Sequence, residues 1–133
     1  MSQTYEGGCH CGALRYQIRG PLTDVAHCHC SVCRQVSGGL LITWVTRPCT
    51  DFQWLGGTPQ RYDSSPSCVR YFCSRCGAHV ALTTDLSPET IDITVTTLDN
   101  PELAQPKRHI WTDSRLPWLH LDEHLPGEPH ETL

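Results

Sequence analysis

The segment AHCHCSVCRQVSG, residues 26–38, sets Cys28, Cys30 and Cys33 within six positions. Thiolates are ligands for soft and borderline cations, and thiols this dense point to a bound metal, above all zinc. A structural zinc takes four protein ligands, so a trio leaves two readings. In the closed one a nearby side chain (His10, His27 or His29) completes a second structural site. In the open one the remaining position belongs to water or to a substrate thiol, which is the arrangement of a catalytic zinc. Spacing alone does not choose between them, and a reduced trio without metal stands as the plainest alternative.

Two further pairs, Cys9-x-Cys11 and Cys73-x-x-Cys76, combine into one closed four-sulfur site. A glycine follows each pair (Gly12 and Gly77), which lets the backbone turn around an ion. Such a site clamps the first strand to a late hairpin. Its role is structural, because metal binding at a preformed site adds ~10–16 kcal/mol to the folded state. Outside the clusters, Cys49 and Cys68 read as small buried hydrophobes, and the four tryptophans as core. His10 and His29, each between two ligand cysteines, are expected to point away from the metal. Arg34 follows the last thiol of the trio and is the first candidate to grip a carboxylate beside the site.

The bulk composition narrows the function. Nine cysteines in 133 residues suit either a disulfide framework or metal binding. The odd count and the tight C-x-C pairs favour metal. The formal net charge is −4, and nine scattered arginines form no basic face, which argues against a nucleic-acid partner. No apolar run approaches the roughly 18 residues that span a membrane. The opening MSQTYEGGCH shows neither the basic start nor the apolar core of a secretory signal, so a cytoplasmic location is expected.

The elements that must position these thiols are short strands. Leu14, Tyr16 and Ile18 alternate with Arg15, Gln17 and Arg19, and Ile91, Ile93 and Val95 alternate with Asp92, Thr94 and Thr96. Segments 40–46, 68–73 and 79–84 also read as strands, rich in β-branched and aromatic residues. Only 31–37 reads as helical. From about Asp99, a proline every few residues predicts an irregular tail wrapping the body, with 127–133 disordered. The expected class is all-β, a single domain over 1–133 with one short helical turn.

GGCHCGALRY (7–16), CHCSVCRQVSG (28–38) and FCSRCGAHVA (72–81) resemble, in order and spacing, the three signatures of the glutathione-dependent formaldehyde-activating enzyme family, which also includes centromere protein V. HIWTDSRLPW (109–118) resembles its closing pattern. The resemblance implies several coiled antiparallel sheets (a β-tent) and two zinc ions. Cys9, Cys11, Cys73 and Cys76 would hold the structural ion, and Cys28, Cys30 and Cys33 a catalytic one whose remaining position serves the substrate. It further implies a carbon–sulfur lyase activity on glutathione and formaldehyde, a small-molecule thiol and a carbonyl, joined reversibly as S-(hydroxymethyl)glutathione. Water, His27 or His29 would carry the proton, and Arg34 would meet a glutathione carboxylate. A zinc-stabilised binding or scaffold module without catalysis is the alternative.

Overall fold

The structure, a computed structural model, describes residues 3–133. Two sheets carry the fold. The smaller has the order β1-β2-β5, built from Thr4–Gly8, Arg15–Arg19 and Phe52–Gly56. The larger runs β10-β3-β4-β9-β8-β7-β6. Its strands are Arg108–Ile110 (β10), Val25–Cys28 (β3), Ile42–Pro48 (β4), Ser87–Thr94 (β9), His79–Thr84 (β8), Cys68–Phe72 (β7) and Gln60–Ser65 (β6). The α-helix α1 spans Ser31–Ser37, the segment expected to be helical. No helix among the described residues is long and apolar enough to cross a membrane.

Alternation along the strands gives the larger sheet two buried faces. On one, Val25, Val45, Val80, Ile91 and Ile93 pack against Leu14, Tyr16 and Ile18 in and beside β2 of the small sheet. Removing each such aliphatic side chain from water contributes about 1.5–3 kcal/mol. Tyr16 is fully buried, stacks on Phe52 with ring centroids 5.5 Å apart, and satisfies its hydroxyl with Thr97 Oγ1 at 2.8 Å. On the other face Ala26, Cys28, Ile42, Trp44 and Leu82 close over Cys33 of α1 and Ile110 of β10. The second cysteine cluster therefore belongs to a core, not to a loop.

Two features differ from the sequence reading. The tail contributes β10, and this strand pairs parallel to β3 (Arg108 with Ala26, Ile110 with Cys28), whereas the other pairings are antiparallel. Residues 126–128, where the expected disordered tail begins, lie along β10. Gly127 bridges to His109, the Glu128 amide donates to the His109 carbonyl at 2.9 Å, and the Glu128 carboxylate meets Arg108 at 2.7 Å. An ion pair at one end and ladder bonds in the middle supply partners that proline spacing does not reveal.

Candidate metal centres

The first cluster joins the turn after β1 to the turn after β7. The sulfurs of Cys9, Cys11, Cys73 and Cys76 all lie within 4.8 Å of one another, with Cys9–Cys11 at 3.6 Å and Cys11–Cys73 at 3.7 Å. The nine cysteines are free thiols, so these contacts are not disulfides. Backbone amides aim at the sulfurs. Leu14 N–H donates to Cys9 Sγ at 3.2 Å, and the N–H groups of Arg75 and Cys76 donate to Cys73 Sγ at 3.4 Å. The amide of Ala78 pulls the Cys76 thiol down to about 6. Gly12 (φ 83°) and Gly77 (φ 80°) close the two turns in the left-handed region, as the sequence requires. Four gathered sulfurs that receive amide hydrogen bonds form a donor set that fits a thiophilic divalent ion such as zinc.

The second cluster is built differently. Cys28 ends β3 with its side chain in the second core, and Cys33 stands in the first turn of α1, its sulfur 3.5 Å from that of Cys28. Cys30 is the N-cap: its sulfur accepts the Cys33 amide at 3.2 Å, the role usually given to a serine or aspartate oxygen. The three sulfurs lie within 4.8 Å of one another, and among the described residues no fourth His, Cys, Asp or Glu joins the group. Hydrogen bonds from Cys28 and then Cys33 pull the Cys30 thiol down to about 2, while the same contacts push Cys28 up. This set also fits a thiophilic ion, with one ligand fewer from the protein.

The histidines considered as a fourth ligand are engaged elsewhere or exposed. His27 Nδ1 meets Thr43 Oγ1 at 2.7 Å and its Nε2 meets Asp122 Oδ2 at 2.9 Å. Burial holds the His27 pKa below the usual value despite Asp122. His29 Nε2 lies 2.8 Å from His109 Nδ1, and His109 Nε2 lies 2.9 Å from the Asp122 carbonyl. A carbonyl only accepts, so His109 donates from Nε2 and, when neutral, accepts at Nδ1 from His29. His29 Nδ1 is then a buried lone pair without a partner among the described residues. Burial, followed by the neighbouring His109, lowers the His29 pKa to about 4. His10 is exposed on the first cluster's turn.

Arg34 spends its Nη1 on the backbone, donating to the His29 carbonyl at 2.7 Å and to the carbonyl of Ser114. It fastens the 112–114 turn across the Cys28–Cys30 loop. Arg70, which the sequence reading passed over, is 5 % exposed and turns both Nη1 and Nη2 toward Cys33 Sγ at 3.7 Å. The signal was present in CVRYFC, where an arginine occupies the same strand face as Cys68 and Phe72. Cys49 is exposed and Cys68 half-buried, so neither is the buried hydrophobe expected. Trp44 is core, but Trp111 and Trp118 are 38 % and 62 % exposed, because they lie in the tail, which crosses the surface.

A cavity of ≈ 750 Å³ reaches from Cys9 and Gly77 beside the first cluster to Ser37 at the end of α1 and Ile42 and Thr43 of β4. Its volume falls within the roughly 300–1,000 Å³ usual for small-molecule sites.

The chain is similar to known proteins in sequence and in fold. The family described as "Glutathione-dependent formaldehyde-activating enzyme" matches residues 4–114. A Halomonas elongata protein named "Putative glutathione-dependent formaldehyde-activating enzyme" is 27% identical over 143 residues, covering 96% of this chain and 90% of its own. A crystal structure of a Rhodobacter sphaeroides protein shares the fold, with a TM-score of 0.64 at 23% identity. The match covers 76% of this chain and 96% of that one.

Proposed function

The chain belongs to the glutathione-dependent formaldehyde-activating enzyme family, and on that footing we propose that it is a zinc-dependent enzyme of carbon–sulfur lyase type that joins and splits glutathione and formaldehyde. The observation that carries the reading is the contrast between a four-sulfur group and a buried three-sulfur group in one small domain. Cys9, Cys11, Cys73 and Cys76 would hold a structural ion, and Cys28, Cys30 and Cys33 would hold a second one beside the place where the thiol binds. Zinc supplies Lewis acidity there, which favours the thiolate form of a thiol near neutral pH.

In the forward direction the glutathione thiol gives its proton to solvent. Its sulfur lone pair forms the new bond to the formaldehyde carbon. The carbonyl π electrons move to oxygen, which takes a proton from water, so the net reaction is addition of S–H across C=O. Holding both partners in one place removes the entropy cost of their meeting. The cavity that runs from Cys9 to the end of α1 receives the peptide part of the thiol, and α1 with its Cys30 cap keeps the sulfurs in register. Arg34 fixes the Cys28–Cys30 loop by donating from Nη1 to the His29 and Ser114 carbonyls, and its Nε and Nη2 donors remain for a glutathione carboxylate.

The test uses zinc-loaded protein, glutathione and formaldehyde, with adduct formation followed by NMR. Wild type accelerates the approach to equilibrium, and Cys30→Ser reduces the acceleration by a hundredfold or more, on the order of the ~3 kcal/mol that removal of one central catalytic interaction costs. If wild type carrying two zinc ions gives no acceleration, the domain is a zinc-stabilised binding module.

A further inference from the structure

Arg70 places a full positive charge in the interior of the second core. Its side chain is nearly inaccessible, and transferring an ion to such a site costs several kcal/mol unless charge compensates it. Its Nε donates to the neutral hydroxyl of Ser64 at 3.0 Å. Among the described residues no carboxylate lies within ion-pair distance of it. Both terminal nitrogens face Cys33 Sγ instead. The sulfur cluster is therefore the negative group this buried guanidinium touches, while the Asp92 carboxylate acts on it only from beyond ion-pair distance.

Three thiolates around a divalent ion leave one net negative charge. A further anion approaching that group is repelled, and a neutral donor is not. A positive charge fixed against one of the sulfurs cancels the repulsion. We propose that Arg70 sets which fourth ligand the Cys28–Cys30–Cys33 group accepts, favouring an anionic thiolate over a neutral nitrogen or oxygen donor. The inference rests on the reading that this trio holds a metal with a position for a thiol. Arg70 is then a charge-balancing residue that acts through Cys33 without touching the reacting atoms. Among the described residues no guanidinium meets the first cluster: its sulfurs accept from backbone amides, and Cys11 and Cys76 are exposed to water.

The experiment loads the full chain with cobalt(II) and titrates it with 2-mercaptoethanol and, separately, with imidazole. The thiolate-to-cobalt and ligand-field bands report occupancy. Arg70→Met should raise the half-saturating 2-mercaptoethanol concentration about tenfold or more, as expected for one charge removed at this range, and leave imidazole within about twofold. Arg70→Lys should recover most of the thiol response. Ser64→Ala, which frees the guanidinium without deleting it, should shift the thiol response in the same direction by about threefold, and it decides the matter if Arg70→Met does not fold. Parallel shifts for the two ligands, or no shift in either variant, would overturn the inference alone. A wild-type cobalt protein whose bands ignore 2-mercaptoethanol would instead defeat the thiol-site reading, and the inference with it.

Discussion

The two cysteine clusters use the same ligand atom for opposite ends. The first is assembled from two distant turns, is partly open to water, and stabilises its sulfurs with amides that the local turns supply. The second lies on one continuous stretch, is walled by hydrophobic residues, and borrows a positive charge from a strand on the far side of the sheet. Four protein sulfurs at the edge would satisfy an ion and tie two sheets together. Three sulfurs in a core would leave a position unspent and must manage the charge that water no longer screens.

Breaking one site at a time should expose this difference. The largest effect belongs to Cys73→Ser or Cys9→Ser. Loss of one of four ligands removes much of the ~10–16 kcal/mol that a structural ion contributes, so the variants should show no cooperative melt by circular dichroism. Cys30→Ser should keep a cooperative melt and lose metal at the second site; equal collapse in both variants would make both ions structural. Stepwise chelation sharpens the same contrast. Two zinc equivalents are expected, and mild chelator should remove one and leave a folded protein with about one equivalent by elemental analysis.

A smaller effect, read through pH, comes from two buried titratable groups on the Trp44 face of the large sheet. His79, which packs edge-on to Trp44 at 5.3 Å, has both ring nitrogens buried without a partner among the described residues. Burial, aided by the Arg70 charge, lowers its pKa to about 4. The unfolded ring titrates near ~6.5, so between these values the unfolded chain binds the extra proton and stability falls as pH falls. Asp92 has the opposite sign. Burial raises its pKa to about 6, so its contribution is lost as pH rises from the ordinary aspartate value through 6. His79→Asn should therefore flatten the acid side of a plot of melting temperature against pH, by about 1–3 kcal/mol over the window from 6.5 to 4.

The smallest predicted effects come from the turns. Gly77→Ala and Gly38→Ala each force a Cβ into left-handed backbone, at φ 80° and 71°, and each should cost about 1 kcal/mol in chemical denaturation. Only Gly77→Ala should also speed release of the tightly held ion, because Gly38 ends α1 a full turn beyond Cys33.

The cysteine spacings made the two donor groups legible, alternation made β2 and β9 legible, and β-branched and aromatic content did the same for β4, β7 and β8. What escaped had other causes. In β3 all four residues are buried, so Val25–Cys28 presents no alternation to read. β6 is a hydrophilic edge strand, QRYDSS, with a polar pattern that resembles a loop. β10 is three residues of a proline-rich tail, stabilised by parallel pairing that no local signal encodes. Arg70 and Asp122 were missed because their partners, Cys33 and His27, are 37 and 95 positions away. Local pattern reports which face a residue takes but not what waits on that face.

The first cluster's span carries a consequence for how the protein assembles. Cys11 and Cys73 are 62 residues apart. Bringing such ends together costs roughly 4 kcal/mol of loop entropy. Each half of the set is prepared locally: Cys9 and Cys11 by a turn closed at Gly12, Cys73 and Cys76 by a turn closed at Gly77. Neither half can hold the ion by itself as four sulfurs do. Tight capture therefore comes late in folding, after both hairpins exist and the sheets have met. An ion held there would then act as a clasp on a nearly finished body, so a nascent chain starved of zinc would stall as two formed but unfastened sheets.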